Sequence, residues 1–177
     1  IPHGTGTFSY NVVWGDGNSD TGVTSSISSP THTYAAVGTY TITITGTFPS
    51  IKFNNGGDKL KVKTVQQLGN VGWTSLESAF YGCSNMTSFT AGTGADTSSV
   101  TTMDSMFRNC SGLTLLDVSN FDTSSMTSMA IMFFGCNSLT SLDVSSFDTS
   151  SVTTMAYMFG SCTNLTGVTI HDWNVES

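Results

Sequence analysis

The sequence predicts a mixed α/β protein, in which a short solenoid of 26-residue helix/strand coils with a parallel sheet follows an antiparallel β-sandwich part. Two observations predict this arrangement. One pattern of 26 residues occurs three times, at 96–121, 122–147 and 148–173, and a fixed period of this length is typical of repeats that bury their apolar faces against one another. Ahead of the repeats, threonine alternates with larger apolar side chains over 38–46, as in a strand with one buried face.

The chain is predicted to divide into three parts. Residues 1–48 form the sandwich part and are expected to lack its first strand. Residues 49–69 form a bridge, whose apolar residues predict docking onto the repeats rather than a flexible linker. Residues 70–177 form the repeats, with a degenerate unit at 70–95 ahead of the three clear ones, since terminal repeats are expected to be atypical.

Each repeat is predicted to contain one helix and one short strand. The helix is indicated by apolar residues spaced along one face of about ten residues, and in the last repeat these are Val152, Met155, Met158, Phe159 and Cys162. The Asp-Thr-Ser-Ser run before them offers several N-cap side chains. The second half of each repeat has the L-x-x-L-x-L spacing of the strand in leucine-rich repeats.

Together with the M-x-x-M-F-x-x-C run, this spacing resembles the BspA-type leucine-rich repeat of bacterial surface proteins. The resemblance covers about residues 70–173, and every clear repeat carries all of its elements. It implies adhesion or attachment at a cell surface, with no catalytic residues to transfer.

A second resemblance lies in the first part of the chain. Residues 12–17 (VVWGDG), 31–34 (THTY) and 37–44 (VGTYTITI) resemble the three signature elements of the PKD module, in the same order. The resemblance implies an immunoglobulin-like sandwich of extracellular proteins, of which this chain holds about half.

Composition and charge narrow the classes of function. Charged residues make up 10% of the chain, against roughly 25% in ordinary globular proteins. The formal net charge of −7 argues against nucleic-acid binding, which needs clustered basic residues, and no apolar segment is long enough for membrane insertion. An extracellular or cell-surface location is therefore expected.

No catalytic set is recognisable. The histidines and glutamates are scattered along the chain at His3, His32, His171, Glu77 and Glu176, and no nucleophile elbow or phosphate-binding loop is present. The sequence predicts that the protein is not an enzyme.

The exposed face of the predicted strands is the candidate ligand-binding surface. Two acidic residues in mid-strand and the threonines near them are expected to point outward from the parallel sheet. A host or neighbouring-cell surface protein or glycan is the expected partner. The residues concerned are Asp117, Asp143, Thr114, Thr140, Thr166 and Thr169.

Calcium is left open as a cofactor, and no other cofactor is expected. Asp16 and Asp20 lie in the GDGNSD segment, which could hold a cation or form a hairpin turn rich in Asp and Asn. Asp96, Asp122 and Asp148 recur at one repeat position. They could form a calcium ladder, or each could accept backbone amides of its own turn.

Two further sets of side chains are candidates for chemistry. Cys83, Cys110, Cys136 and Cys162 share one repeat position and are expected to be buried free thiols, with a disulfide between neighbours or a metal site as alternatives. Three asparagines lie in glycosylation sequons, at Asn85, Asn109 and Asn164.

Three functional hypotheses follow. The first is a non-enzymatic extracellular adhesion or structural module that acts through repeated surfaces. The second is a calcium-dependent glycan-binding module. The third is a subunit of a self-assembling extracellular fibre, in which identical chains join head to tail, because residues 174–177 resemble the start of another unit and an uncovered repeat end favours further stacking.

Overall fold

A computed structural model describes residues 1–25 and 29–173 of the chain. These residues form eight short strands in three small sheets, and their one helical segment is the 3-10 turn Lys59–Lys61. The protein is therefore nearly all-β. The prediction of a mixed α/β leucine-rich-repeat solenoid is wrong, because the described residues form no α-helix.

The first part of the chain contains a three-stranded antiparallel sheet. Its strands are β1 (Ser9–Val13), β2 (Ser19–Thr24) and β3 (Thr43–Thr47), in the order β2-β1-β3. Tyr10 and Val12 alternate with exposed residues on the central strand and are buried. Because the described residues before Phe48 form this one sheet alone, the expected sandwich of two facing sheets is not present among them.

Aromatic contacts join this sheet to the rest of the molecule. The Phe48 ring lies 4.9 Å from the Tyr10 ring and 5.9 Å from the Trp73 ring. The Phe8 ring stacks on His3 at 4.2 Å. One apolar core consequently runs from Phe8 in the first part to Met158 in the last repeat.

Short parallel strands recur along the second part. The first sheet contains β4 (Thr64–Val65), β5 (Ser88–Thr90) and β6 (Leu115–Asp117), and the second contains β7 (Ser141–Asp143) and β8 (Gly167–Thr169). Phe89 pairs with Leu116 and Leu142 with Val168 in register. Each strand lies where the L-x-x-L-x-L spacing places it, since strand neighbours must share the same inward position.

The segment predicted as a helix is a series of turns. Met106 N donates to Met103 O at 3.0 Å and Cys110 N to Phe107 O at 3.1 Å, whereas Phe107 N donates to Met132 O of the next repeat at 2.9 Å. Amides thus alternate between a turn within the repeat and a bond to the next repeat. We call this arrangement the turn ladder; it comprises residues 76–83, 103–110, 129–136 and 155–162.

Left-handed residues explain why no helix forms. Ser105, Asn109 and Ile131 have φ values of 57°, 56° and 60°, and an L-residue in this conformation interrupts a right-handed helix at a cost of about 1–2 kcal/mol. The bonds between repeats compensate for that cost, and the many Ser and Thr residues favour helices only weakly. Val100 N donates to Thr97 O and Met106 N to Met103 O, so apolar residues three apart are compatible with separate i→i−3 turns.

Phenylalanine rings connect the repeats through the core. Phe80, Phe107, Phe133 and Phe159 occupy one repeat position, and successive ring centroids are 5.9, 5.8 and 5.7 Å apart with nearly parallel planes. The first three rings are buried. This column supplies a large part of the apolar contact between neighbouring repeats.

The last repeat is less covered than those before it. Val168 and Ile170 are 38% and 54% exposed, whereas their counterparts Leu142 and Val144 are 4% and 0% exposed. An apolar surface therefore remains open at this end of the described chain. The predicted start of a further unit, residues 174–177, lies outside the described residues.

Candidate functional site

The residues predicted to bind a ligand on the strand face are divided between the two parallel sheets. Thr114 and Asp117 lie at β6, whereas the others lie at β7 and β8. Thr114 Oγ1 donates to Thr87 O at 3.1 Å, and Asp143 pairs in register with Thr169. The remaining members, Thr140 and Thr166, are joined by a hydrogen bond from Thr166 Oγ1 to Thr140 O at 3.1 Å.

The two acidic residues of this face close their own turns. Asp117 Oδ1 accepts hydrogen bonds from Ser119 N at 3.1 Å and Ser119 Oγ at 2.6 Å. Asp143 Oδ1 accepts one from Ser145 N at 2.9 Å, and the Ser145 side chain followed by its backbone amide lowers the pKa of Asp143. These contacts give both carboxylates a structural role in the turn after each strand.

The two carboxylates of the GDGNSD segment form hydrogen bonds with different residues. Asp16 Oδ2 lies 2.7 Å from His32 Nε2, and Asp16 Oδ1 accepts from Asn18 N at 3.1 Å. Asp20 Oδ2 instead accepts from Trp14 Nε1 at 3.1 Å. Within residues 1–25 and 29–173, no three His, Cys, Asp or Glu side chains are grouped so that they could hold a metal ion. The geometry therefore favours the hairpin-turn reading of this segment.

Acid is expected to weaken the first sheet through Asp16. The hydrogen bond with His32, followed by the contacts with Asn18, lowers the pKa of Asp16 from 3.8 to about 2. A lowered folded-state pKa stabilises the fold above pH 3.8, and this contribution is lost as pH falls towards 2. Melting curves should therefore show a smaller difference between wild type and Asp16→Asn near pH 2 than near pH 5. A difference that stays constant across that range would contradict the prediction, and Asp58→Asn is the control for a surface carboxylate elsewhere.

Asp96, Asp122 and Asp148 likewise cap turns. Their carboxylates accept from the amides of the serines two residues later, at 3.3, 3.0 and 2.9 Å. Hydrogen bonds from those serines lower the pKa of Asp122 and of Asp148. The sequence predicted these turn contacts as one of two alternatives. It did not predict the buried threonines beside them: Thr97 Oγ1 donates to Asp122 O at 2.9 Å and accepts from Asp122 N at 2.8 Å.

The four cysteines are free thiols, of which Cys162 alone is partly exposed. The prediction of free thiols is confirmed. The Sγ atoms of Cys110 and Cys136 donate to Phe80 O and Phe107 O at 3.1 and 3.2 Å. Burial raises the pKa of all four thiols, that of Cys83 to about 12, which favours their protonated form at neutral pH.

The three sequon asparagines are exposed, but two of them make contacts with neighbouring residues. Asn85 Nδ2 donates to Leu60 O at 2.9 Å. Asn109 Oδ1 lies over Gly135, where an added Cβ would be 2.5 Å away. No such contact involves Asn164 among the described residues. The prediction that they carry glycans remains untested.

A polar groove that the sequence did not reveal crosses the repeats beside the turn ladder. We call it the amide groove; its volume is about 480 Å³, and its polar lining comes from Asn55, Lys59, Ser84, Asn109, Ser111 and Asn137. Gly82 and Gly135 lie in its floor, both with positive φ like Asn109. The detectable signal was the recurrence of Gly or Asn just before the first three cysteines, because these types adopt the left-handed conformation most readily.

Arg108 lies next to the groove in a separate column of side chains. Its guanidinium carbon is 4.8 Å from the centroid of the Tyr81 ring and 5.8 Å from that of Phe134. Each of these three residues directly precedes a groove residue, namely Gly82, Asn109 or Gly135. The sequence reading did not single out this arginine.

Comparison with known proteins gives one match. Residues 74–177 match the model of a family described as "Mycoplasma protein of unknown function, DUF285", and the match spans more than half of the chain. No curated protein and no solved structure matches the sequence.

Proposed function

The chain belongs to the DUF285 family, and we propose that it is a non-enzymatic module of an extracellular or cell-surface protein that binds its ligand in the amide groove. The observation that carries the proposal is the composition of that groove. Its lining includes three asparagine and two serine side chains, contributed by the bridge and by three successive repeats, beside Lys59 and Leu60. The asparagine and serine groups both donate and accept hydrogen bonds.

These groups suit a glycan ligand. A sugar presents hydroxyl groups that both donate and accept hydrogen bonds. The side-chain amides of Asn55, Asn109 and Asn137 can accept from these hydroxyls through their oxygen and donate to them through their NH2 group. Leu60, which is 50% exposed in the groove, offers an apolar contact for the C–H face of a ring. Neighbouring repeats are about 4.8 Å apart, the spacing of paired strands, and this distance is comparable to the length of one hexose unit.

The sequence resemblances to BspA-type and PKD-containing proteins support the surface location, and both remain predictions. No helix within the described residues is long and apolar enough to cross a membrane.

Blocking variants test which face binds. Binding of wild type to immobilised mucin and to a panel of neutral and acidic oligosaccharides should be abolished by Asn137→Trp, because the indole fills the groove. Ser141→Trp is the matched control, since Ser141 is an exposed residue of β7 on the strand face. Loss of binding in Ser141→Trp with retention in Asn137→Trp would move the site to the strand face. Absence of wild-type binding to every probe would overturn the proposal.

A second candidate function is self-assembly through the open end of the last repeat. Ile131 N and Phe133 N donate to Ala156 O and Met158 O at 2.9 Å each. The corresponding amides of Tyr157 and Phe159 have no acceptor within the described part of the chain. These two amides and the exposed side chains of Val168 and Ile170 all belong to the last repeat and could therefore bind an acceptor edge of a second copy, as in a head-to-tail fibre.

Light scattering over a range of protein concentrations tests this candidate. Wild type should form oligomers, and Ile170→Asp should abolish them by placing a charge on the open apolar end. Leu115→Asp is the matched control, because Leu115 is 60% exposed on the strand face. A wild-type protein that stays monomeric at all concentrations would exclude this function.

A further inference from the structure

Arg108 is the single arginine of a chain whose formal net charge is −7. Within the described residues, no carboxylate forms an ion pair with it, and its Nε is buried without a hydrogen-bond partner. The contacts of its side chain are those with the rings of Tyr81 and Phe134. A guanidinium keeps its positive charge at every physiological pH, so this cation has no ion-pair partner among residues 1–25 and 29–173.

The two rings restrict how Arg108 can be approached. Because Tyr81 and Phe134 belong to neighbouring repeats on either side of it, the faces of the guanidinium are occupied by aromatic surface. Because Nε is buried, the edge formed by the two terminal Nη groups is the part left for a ligand. That edge fits the two oxygens of a carboxylate or a sulfate in a bidentate arrangement.

The position of Arg108 relates this edge to the amide groove. Asn109, the next residue, lines the groove, as do Gly82 after Tyr81 and Gly135 after Phe134. The aromatic–arginine column therefore runs along the row of groove residues. At the bridge end, Lys59 Nζ is bonded to the neutral oxygens Asn55 O and Oδ1 at 2.6 Å each, whereas Arg108 Nε has no hydrogen-bond partner.

We propose that Arg108 is the anion-recognition residue of the amide groove and selects glycans that carry an oxyanion, either a carboxylate or a sulfate. This inference rests on the proposed function of the groove. It adds the charge class of the ligand, which the asparagine and serine side chains of the lining do not determine.

The experiment compares probes that differ only in charge. Oligogalacturonate and its methyl ester share one backbone, and a chondroitin sulfate oligosaccharide and its desulfated form make the second pair. Wild type should bind the acidic member of at least one pair more tightly, by about tenfold or more, as expected for a charge-assisted hydrogen bond. Which pair shows the difference identifies carboxylate or sulfate. In the same titration, the Arg108 Nε–H resonance should shift with the acidic probe and not with its neutral partner.

Variants separate recognition from general electrostatics and from folding. Arg108→Met keeps an apolar stem between the rings and should remove the preference for the acidic probe while leaving affinity for the neutral probe unchanged. Arg108→Lys keeps the positive charge but cannot form the bidentate hydrogen bonds of a guanidinium. This variant should retain only part of the preference for the acidic probe. Lys63→Met is the control, because it removes the same charge from an exposed position.

Three results would overturn the inference. Wild type could bind both members of each pair equally, Arg108→Met could keep the preference, or Arg108→Met and Lys63→Met could weaken binding to the same degree. In each case neutral probes would still bind and Asn137→Trp would still block them, so the groove would stand as a binding site. If no probe of either charge binds wild type, the proposed function and this inference fall together.

Discussion

Replacing Phe107 with alanine is expected to destabilise the protein by about 3–5 kcal/mol, the usual cost of emptying a buried aromatic site. The Phe107 ring is fully buried and lies between the rings of Phe80 and Phe133, at 5.9 and 5.8 Å. It also meets the edge of Phe89 at 4.8 Å. The cavity would interrupt the contact between three successive repeats. Urea denaturation followed by intrinsic fluorescence measures the change in the free energy of unfolding.

Tyr157→Ala is the control for this substitution. Tyr157 also lies in the turn ladder, but its side chain is 75% exposed, so the change in the free energy of unfolding should stay within about 0.5 kcal/mol. Equal effects of the two substitutions would show that the aromatic column does not hold the repeats together.

Thr123→Val is expected to cost about 1–3 kcal/mol, because it leaves two backbone groups without their partner. Thr123 is 2% exposed. Its Oγ1 donates to Asp148 O at 3.0 Å and accepts from Asp148 N at 2.7 Å. Valine has nearly the same shape and cannot replace either bond. The loss should appear as a lower melting temperature and as faster hydrogen exchange at the Asp148 amide.

Thr101→Val is the matched substitution on the surface. Thr101 is exposed, and its backbone carbonyl, which valine retains, accepts a hydrogen bond from Thr127 N. Its effect should be within about 0.5 kcal/mol. A Thr123→Val protein as stable as Thr101→Val would mean that water replaces the lost bonds without cost.

The strands could be predicted from the sequence because each repeat has an apolar residue at the same strand position. Phe89, Leu116, Leu142 and Val168 recur at one position, and the structure pairs the first two and the last two in register. A parallel register allows few alternatives once the buried position is known. The antiparallel sheet of the first part was predicted from the alternation over 38–46, and the structure forms a strand over only part of that segment, at Thr43–Thr47.

The turn ladder could not be predicted by periodicity alone. Residues three apart fit both one face of a helix and a run of three-residue turns, and short apolar patterns do not separate these possibilities. The left-handed backbone at Ser105, Asn109 and Ile131 distinguishes the turns from a helix. That conformation is stabilised by bonds to neighbouring repeats, which are tertiary contacts that a local pattern does not record.

The candidate site was missed for a related reason. Asp117 and Asp143 were predicted to bind a ligand because they are acidic residues in mid-strand. In the structure, each carboxylate accepts a hydrogen bond from the backbone amide of the serine two residues later. The groove depends instead on glycines, which leave space, and on Asn109, whose amide lies over Gly135 of the next repeat. Arg108 belongs to no recognisable sequence motif. Its contacts with Tyr81 and Phe134, which belong to the repeats on either side, are seen only in the structure.

The most direct test of the turn ladder is the scalar coupling across the hydrogen bond of the Phe107 amide, measured by NMR on isotope-labelled protein. Phe107 N donates to Met132 O at 2.9 Å, so the account predicts a coupling between the Phe107 nitrogen and the Met132 carbonyl carbon. An α-helix would instead bond this amide to the residue four positions earlier, which is Met103. A coupling to Met103 would contradict the account and restore the helix.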